Sequence, residues 1–251
     1  MITLANRVSI VTGGSRGIGA ATARLLAQAG SDVVINYVRD TDEAGKVVAA
    51  VRECGRKAIA HQGNVGDSRE AAALVERTLV EFGRVDIVVN NAGIWTYGEI
   101  GAMPEDVWDE TIDINLKGVF NVCNAVVPPM RRNGGGRIIN IASTAGQRGE
   151  PLHAHYAASK GGVIAFTKSL AVELAPSNIL VNCVAPGWVD TDLNEQVFSD
   201  LRFREKVVES IPLNRIATAE DAAGPVLFLA SNLARHITGS TINVNGGSVL
   251  F

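Results

Sequence analysis

The stretch Val8-Ser9-Ile10-Val11-Thr12-Gly13-Gly14-Ser15-Arg16-Gly17-Ile18-Gly19 passes from an apolar run through a glycine-rich loop directly into a segment of helical periodicity. Glycines let a backbone turn sharply and approach a pyrophosphate closely, and the amides at a helix start attract phosphate groups. A glycine cluster alone is an ordinary turn in most proteins, but the order of strand, loop and helix is typical of dinucleotide sites. We therefore predict that the loop binds a dinucleotide through Gly13, Ser15, Arg16, Gly17, Ile18 and Gly19.

The rest of the chain repeats this alternation of strand and helix. Apolar runs rich in Val and Ile, most of them nearly continuous, are typical of strands buried on both faces and recur at 33–35, 57–60, 85–89, 137–141, 179–184 and 241–244. Helix-length segments separate them at 18–29, 42–54, 68–82, 108–130, 156–175 and 219–230. Because right-handed crossovers return each strand beside an earlier one, we predict an α/β, Rossmann-type doubly wound fold: a mostly parallel seven-stranded sheet with helices on both faces.

Length and composition set the scale of the molecule. The chain has 251 residues, of which 47% are hydrophobic and 20% charged, which is enough to bury one large core. We expect a single domain over residues 1–251 that serves both dinucleotide binding and catalysis. The segment 190–212 has the most polar helical pattern, and we predict that it forms a lid over a substrate.

Charge and cysteine usage exclude several classes of function. The formal net charge is −3 and no basic run is longer than Arg131-Arg132, so we expect neither nucleic acid nor an anionic membrane surface as a partner. The 3 cysteines are far apart and lack metal-type spacing, which favours reduced thiols, a cytoplasmic location and no bound metal. No basic segment precedes an apolar one at the start, and no apolar run reaches ~18 residues, so neither export nor membrane spanning is expected.

Tyr156 and Lys160 stand four residues apart at the start of a helical segment, so both side chains leave the same face of the helix. A free phenol ionises near pH ~10, and a fixed ammonium beside it favours the phenolate. We therefore expect Lys160 to bring the pKa of Tyr156 toward neutrality and to make the phenol an acid or base for catalysis. The same spacing also occurs by chance on solvated helices, so the other motifs have to support it.

The end of the second predicted strand indicates which dinucleotide is bound. Sites for NAD usually place Asp or Glu there, to accept hydrogen bonds from the ribose 2′-hydroxyl. This chain has no acid at that place, and Arg39 together with Arg16 offers guanidinium groups for a 2′-phosphate. We predict NADP(H), bound here by Asn36, Tyr37, Val38 and Arg39. NAD(H) stays possible because Asp40 follows directly, and both arginines could be ordinary surface charges.

Two features already described and three new ones follow one another along the chain. In chain order they are the loop from Thr12 to Gly19, the turn Asn90-Asn91-Ala92-Gly93, Asn115, Ser143, and the pair of Tyr156 and Lys160. In these motifs the chain resembles the short-chain dehydrogenase/reductase family across essentially its whole length. Ser143 also follows the predicted strand 137–141, at the carboxyl end where open α/β sheets bind ligands.

The resemblance implies roles for individual residues. Ser143 and Tyr156 would bind the substrate oxygen, Tyr156 would transfer its proton, and Lys160 would hold the nicotinamide ribose. Asn115 would carry a water that links Lys160 to solvent; the alternative is an Asn hydrogen-bonded within the core. The remaining cofactor contacts implied are Asn64, Val65, Asn91, Ala92, Gly93, Tyr156, Lys160, Pro186, Gly187, Val189 and Thr191. A homotetramer with contacts through 108–130, 156–175 and 241–244 is also implied.

Within that family the chain is most similar to the reductases of 3-oxoacyl thioesters carried by acyl carrier protein, through Ile237-Thr238-Gly239 and Val244-Asn245-Gly246-Gly247. It departs from them in the segment 149–155, which implies a changed wall beside the reacting carbonyl. Three aromatic residues, with packing as the alternative role, are predicted to border the pocket: Trp95, Tyr97 and Trp188. His153 and His155 are close enough in sequence to contact the substrate, but Tyr156 already fills the role of catalytic base.

The sequence therefore predicts an NADP(H)-dependent oxidoreductase that moves hydride between nicotinamide and a carbonyl or secondary alcohol. A 3-oxoacyl thioester or a similar ketone is the expected small-molecule substrate. Two alternatives stay open, namely an NAD-dependent dehydrogenase of a sugar, polyol or cyclic alcohol, and a non-catalytic nucleotide-binding protein.

Overall fold

The computed structural model describes residues 2–250, and its centre is one parallel β-sheet. The strands are β1 (Val8–Val11), β2 (Asp32–Tyr37), β3 (Ala58–Gln62), β4 (Ile87–Asn90), β5 (Gly136–Ile141), β6 (Ile179–Pro186) and β7 (Thr241–Val244). Within the described residues the sheet has seven strands in the order β3-β2-β1-β4-β5-β6-β7, and every neighbouring pair is parallel. The predicted fold class is confirmed. The strand order reverses between β1 and β4, which is where doubly wound sheets open a crevice for ligands.

Helices cover both faces of the sheet. They are α1 (Gly17–Gln28), α2 (Thr41–Glu53), α3 (Ser68–Phe82), α4 (Glu105–Ile112), α5 (Gly118–Arg132), α6 (Ala145–Arg148), α7 (Ala154–Leu174), α8 (Glu195–Phe198), α9 (Leu201–Glu209) and α10 (Ala219–Ala230). The helices α1, α2 and α10 pack into one apolar core, and α3, α5 and α7 into another on the opposite face. Successive strand residues divide between the two cores, as Ile10 and Val11 do in β1, because side chains alternate across a strand.

The ends of several strands differ from the sequence prediction. The strand predicted at 33–35 extends to Tyr37, where it pairs with Gln62 of β3, and the strand predicted at 179–184 extends to Pro186, which pairs with Val244 of β7. Pairing with a neighbouring strand sets these ends, and the apolar pattern of a single segment does not contain that information.

The predicted helix 108–130 is interrupted. Between α4 and α5 the chain forms one π-helical turn, Asp113–Lys117, with the fully buried Asn115 inside it. A π-turn inserts an extra residue into a helix and re-aims a side chain, and such turns are frequent at functional sites. Within this π-turn the Asn115 side chain contacts the backbone of Ile94, in the loop that follows β4. The helical periodicity of the sequence does not predict this contact.

The segment 190–212, predicted to be a lid, contains a short 3₁₀ turn (Asp192–Asn194) followed by α8 and α9. Its apolar side chains form a small core of their own, in which Phe198, Val207 and Ile211 pack with Ile216 and against Trp188. The segment therefore has a core face that its polar sequence pattern does not display.

Membrane-spanning helices and clusters of metal-ligating side chains are both absent from the described residues. No helix among residues 2–250 has both the length and the apolar character needed to cross a lipid bilayer. In the same part of the chain, no three His, Cys, Asp or Glu side chains are grouped so that they could hold a metal ion.

Candidate active site

A cleft lies at the carboxyl ends of the central strands. The structure brings together there three of the four predicted catalytic residues, Ser143, Tyr156 and Lys160. Predicted cofactor residues line the same cleft: Ile18, Asn91, Gly93, Pro186, Gly187, Val189 and Thr191. One continuous cavity therefore joins the glycine loop to the catalytic groups, as a reaction between a nucleotide and a second molecule requires.

The glycine loop is shaped by close backbone approaches at Gly13 and Gly19. A Cβ atom on Gly19 would lie 2.3 Å from the Gly13 carbonyl oxygen, and one on Gly13 would lie 2.9 Å from the Cα of Ala92. Gly13 also has a φ of +58°, a conformation that favours glycine. Neither position has room for a side chain, so the loop's path depends on both glycines.

The start of α1 is available for an anion. The helices α2, α3 and α10 begin with a side chain that accepts hydrogen bonds from the first-turn amides, whereas α1 begins after Arg16 without such a cap and without an acid in its first turn. Free amides at a helix start, together with the helix dipole, attract phosphate. The residues present therefore fit the pyrophosphate of a dinucleotide.

Two residues that hold this region in place were not among the predicted site residues. The Thr12 hydroxyl accepts hydrogen bonds from the backbone amides of Asn91 and Ala92, both at 3.0 Å, and Asn91 in turn donates to the Thr12 and Gly13 carbonyls, both at 3.0 Å. The Asn121 amide donates to the Val65 carbonyl at 2.8 Å. A buried Asn on the apolar face of a predicted helix is the sequence signal that could have revealed Asn121.

The predicted binding site for the adenosine ribose lies at the end of β2. Asn36 is buried, and its amide donates to the Gly63 carbonyl at 2.8 Å; Tyr37 is also buried, with its hydroxyl 3.3 Å from that of Thr41. Both side chains therefore support the strand end, and the exposed side chains there are those of Val38 and Arg39.

The placement of Asp40 bears on the choice between NADP(H) and NAD(H). Asp40 lies beyond β2, and its carboxylate accepts a hydrogen bond from the Glu43 amide at 3.0 Å as the N-cap of α2. The carboxylate therefore caps a helix beyond the strand and does not stand at the strand end itself. Arg39 forms no salt bridge within the described chain, while Arg16 lies 4.0 Å from Asp192.

The predicted catalytic residues Ser143, Tyr156 and Lys160 come from the end of β5 and from α7. Ser143 follows β5, and its hydroxyl accepts a hydrogen bond from the Ala145 amide at 3.1 Å. Lys160 is buried, donates a 2.9 Å hydrogen bond to the carbonyl of Ile141 and lies with its Nζ 5.8 Å from the centroid of the Tyr156 ring. The predicted shared helix face is confirmed.

The pKa values of this pair differ from the expectation. Burial raises the pKa of Tyr156 to about 12; the hydroxyl of Ser143 opposes this by hydrogen bonding, and the charge of Glu150 adds to it. Burial lowers the pKa of Lys160 to about 8. The expectation that Lys160 brings the pKa of the phenol toward neutrality is wrong for the protein as described, because burial is the largest influence on the pKa of Tyr156 and favours the neutral phenol. The phenol is therefore protonated at neutral pH, as a proton donor must be, and it is a weaker acid than a free tyrosine.

Asn115, the fourth predicted catalytic residue, lies behind the cleft and does not line it. Its amide accepts from the Ile94 amide at 2.8 Å and donates to the Ile94 carbonyl at 2.9 Å and to the Ser159 hydroxyl at 3.2 Å. A Cβ on Gly93 would lie 3.2 Å from the Asn115 oxygen and 3.3 Å from the Lys160 nitrogen. The side chain thus matches the alternative of an Asn hydrogen-bonded in the core, and the water-carrying role stays a prediction.

The aromatic residues on the substrate side divide into two groups. Trp95 and Trp188 line the cleft, with ring centroids 5.9 Å apart in an edge-to-face arrangement. The His153 ring stacks on the Trp95 ring, with the two centroids 4.3 Å apart. Tyr97 is exposed, and its ring lies edge-to-face with the His153 ring. Neither His153 nor Tyr97 lines the cleft. His155 is fully buried, where burial lowers its pKa. A buried neutral imidazole away from the cleft is not placed to act on a substrate.

The cleft residues that were not predicted individually include Arg148, Glu150, Leu193 and Asn194. Leu193 and Asn194 belong to the segment predicted to be a lid. Glu150 belongs to the segment 149–155, whose departure from the resembling reductases was the signal that this wall differs.

Comparisons with known proteins agree with this geometry. The family model described as "Enoyl-(Acyl carrier protein) reductase" matches residues 13–248. The 3-oxoacyl-(acyl-carrier-protein) reductase FabG of Staphylococcus epidermidis is 44% identical over 242 residues, covering 96% of this chain and 98% of that protein. The 3-oxoacyl-(acyl-carrier-protein) reductase of Synechocystis sp. is 45% identical over 252 residues, covering 100% of both chains. A crystal structure from Sinorhizobium meliloti 1021, of a protein named as a short-chain alcohol dehydrogenase, superposes with a TM-score of 0.94 at 34% identity, covering 98% of this chain and 97% of the other.

Proposed function

This chain belongs to the short-chain dehydrogenase/reductase family, and we propose that it is an NADP(H)-dependent reductase of a 3-oxoacyl thioester or a similar ketone. The observation that carries the proposal is the grouping of the Tyr156 phenol, Ser143 and Lys160 in one cleft with the uncapped start of α1. Binding alone would not require an acid poised beside a nucleotide site, so a catalytic role is favoured over a purely nucleotide-binding one.

The proposed mechanism assigns a separate task to each group. NADP(H), when bound, supplies the hydride chemistry. Ser143 and Tyr156 bind the substrate oxygen, where the hydroxyl of Ser143 stabilises the negative charge that develops during reduction. Tyr156 donates its proton to that oxygen, which completes the alcohol. Lys160, fixed by Ile141, holds a positive charge beside the phenol and favours loss of its proton at that moment.

NADP(H) is proposed over NAD(H) because of the groups at the end of β2. The exposed Arg39 offers a guanidinium suited to a phosphate, and the nearest acid, Asp40, is engaged in capping α2. The start of α1 and the glycine loop would hold the pyrophosphate, and Asn64, Val65 and Ala92 the adenosine. Pro186, Gly187, Val189 and Thr191 would contact the nicotinamide end.

The substrate class is inferred from the relatives, which are named as 3-oxoacyl-(acyl-carrier-protein) reductases. An acyl carrier protein is therefore the proposed macromolecular partner. The apolar walls formed by Trp95 and Trp188 suit an acyl chain. The structural relative named as an alcohol dehydrogenase favours a second candidate, a dehydrogenase of a secondary alcohol.

One screen tests the proposed function. The purified protein is assayed with NADPH and with NADH against acetoacetyl thioesters, cyclic ketones and ketosugars. We expect NADPH-dependent reduction of the thioesters at the highest kcat/KM. Preference for NADH with a cyclic ketone or a ketosugar would support the second candidate, and no turnover of any carbonyl would contradict both.

We also propose a homotetramer, on the family resemblance. Three large apolar side chains on α4, α5 and α7 are exposed, namely Trp108, Phe120 and Val172. Contact between copies would bury them, and exposed apolar patches commonly mark such surfaces. Light scattering at micromolar concentration should give about four chain masses, and a monomer mass would contradict the proposal. A cytoplasmic location is proposed with it, on the wide separation of Cys54, Cys123 and Cys183.

A further inference from the structure

Two opposite charges line the substrate side of the cleft without neutralising each other. Arg148 ends α6, and Glu150 follows two residues later, after Gly149 has turned the chain with a φ of +79°. Within residues 2–250, neither side chain belongs to a salt bridge. Charges that face a ligand cavity unpaired are available to the ligand.

Glu150 is the inner of the two charges. Its side chain is half-buried, and it accepts a hydrogen bond from the indole nitrogen of Trp95 at 3.4 Å. Its charge also contributes to raising the pKa of Tyr156, which means that the carboxylate acts at the place where the substrate oxygen binds. A second negative charge brought to that place with the substrate would be repelled in a partly desolvated site.

Arg148 is the outer charge. It is exposed to solvent while lining the cleft, and its guanidinium donates no hydrogen bond that would tie it to another described side chain. A free guanidinium at a cleft mouth is suited to a phosphate or carboxylate of a ligand that reaches out of the cleft.

We propose that Glu150 and Arg148 are specificity-determining residues that sort substrates by the position of their negative charge. Glu150 rejects ketones with an anionic group next to the reacting carbonyl, and Arg148 favours ketones with an anionic group at the far end. A 3-oxoacyl thioester of a pantetheine phosphate has this distribution, whereas a free 3-oxo acid has the opposite one. This inference rests on the proposed function, because it concerns the selectivity of the same cleft.

The test compares three ketones that share the acetoacetyl group. Acetoacetate carries its charge next to the carbonyl, acetoacetyl-pantetheine is neutral, and acetoacetyl-4′-phosphopantetheine carries its charge at the far end. Glu150→Gln keeps an oxygen to accept from Trp95 and removes only the charge. We expect it to raise kcat/KM for acetoacetate relative to acetoacetyl-pantetheine by about tenfold.

Arg148→Gln provides the second arm. We expect it to lower kcat/KM for the phosphorylated thioester relative to the unphosphorylated one by about fivefold, mainly through KM, since a charge at the rim acts on binding. Repeating this arm with acetoacetyl-CoA and with acetoacetyl-acyl carrier protein identifies the source of the phosphate. If kcat/KM of Arg148→Gln falls with both substrates, the effect belongs to the pantetheine phosphate that they share. If it falls with only one of them, Arg148 recognises a feature of that carrier.

The control variants remove an exposed charge elsewhere: Glu53→Gln at the end of α2 and Arg24→Gln on α1. Both should leave all substrate ratios unchanged, and circular dichroism melting should confirm that all four variants are folded. Unchanged ratios in either Glu150→Gln or Arg148→Gln, in an enzyme that reduces the ketones, would overturn this inference alone. A wild-type protein that reduces none of the ketones would overturn the proposed function together with the inference.

Discussion

The ammonium nitrogen of Lys160 lies 5.8 Å from the centroid of the Tyr156 ring, one helical turn away on the same face of α7. Its hydrogen bond goes to the carbonyl of Ile141 at 2.9 Å and not to the phenol. Both side chains are therefore governed first by burial, which keeps the phenol protonated and makes the ammonium easier to deprotonate. In this pair Tyr156 is the proposed proton donor, and Lys160 is the group whose pKa, about 8, lies nearer to neutral pH.

The first prediction concerns pH. Because the pKa of Lys160 is lowered from 10.5 to about 8, the side chain is charged below that pH and neutral above it. We expect kcat/KM for ketone reduction to fall as the pH rises through about 8, measured between about pH 6 and 10. In Lys160→Arg the guanidinium stays protonated, so the fall should disappear whatever the residual rate. A kcat/KM that does not change with pH in the wild type, or a fall near pH 8 that persists in Lys160→Arg, would contradict the assignment of this titration to Lys160.

The second prediction concerns the phenol. Tyr156→Phe removes the proton donor and leaves the ring, so turnover should fall by about 10²- to 10⁴-fold while the NADPH dissociation constant changes little. Steady-state kinetics and fluorescence titration measure the two quantities. Tyr97→Phe is the matched control, since Tyr97 is exposed outside the cleft and should keep wild-type turnover. Near-normal turnover of Tyr156→Phe would remove Tyr156 from the mechanism.

The third prediction concerns the glycine loop. In Gly19→Ala the new Cβ would lie 2.3 Å from the Gly13 carbonyl oxygen, so the loop has to shift and NADPH binding should be lost. Gly45→Ala is the control, because no atom lies within 4 Å of a Cβ built on Gly45 in α2. It should bind NADPH normally and raise the free energy of unfolding by about 0.5–1 kcal/mol in urea. Unchanged NADPH affinity in Gly19→Ala would rule out this loop as the phosphate site.

The fourth prediction concerns cofactor choice. Arg39→Glu replaces the exposed guanidinium with a carboxylate that repels a 2′-phosphate and can accept from a 2′-hydroxyl. The KM for NADPH should rise by at least about tenfold, and the KM for NADH should fall or stay constant. Arg24→Glu, on the exposed face of α1, controls for the change in net charge. An NADPH preference that survives in Arg39→Glu would assign the 2′-phosphate to other residues.

The fifth prediction concerns Asp86, which directly precedes the central strand β4, at the end of the strands opposite to the cleft. Asp86 is 3% exposed and accepts hydrogen bonds from Arg7 at 2.9 Å, from Arg84 at 2.8 Å and from the Val8 amide at 3.0 Å. Burial by itself would raise the pKa of Asp86, but these hydrogen bonds prevail and lower it from 3.8. Asp86→Asn should therefore reduce the free energy of unfolding by about 2 kcal/mol at neutral pH.

The pH dependence of that effect has a defined sign. A carboxylate with a lowered pKa stabilises the folded state above its ordinary pKa and loses this contribution as the pH falls through its folded value. Urea unfolding of the wild type and Asp86→Asn should thus converge below about pH 4. Glu76→Gln on the exposed face of α3 should show no difference at either pH. A constant difference down to acidic pH would mean that Asp86 acts through packing.

Structural features that depend on residues close together in the chain were predicted correctly from the sequence. The glycine loop depends on residues close together in the chain, and the shared face of Tyr156 and Lys160 follows from the helical repeat. Alternation of apolar strands and helical segments was enough to predict the sheet, because buried parallel strands leave a recognisable apolar run. Two helices, Ser68–Phe82 and Ala219–Ala230, were predicted with the observed ends, and their side-chain caps, Asp67 and the capping box of Thr218, explain why their starts are well marked.

Tertiary structure alone decided the remaining properties of the site. The desolvation of a group depends on which side chains and backbone segments bury it in the folded protein. The raised pKa of Tyr156 therefore could not be predicted from the nearby Lys160 in the sequence. The π-turn that aims Asn115 at Ile94 and the two unpaired charges of Arg148 and Glu150 in the cleft depend on contacts between distant segments. The amino-acid sequence determined which chemical groups the molecule has and their local geometry. Packing determined how far each group is desolvated, and desolvation sets the acidity of a buried group.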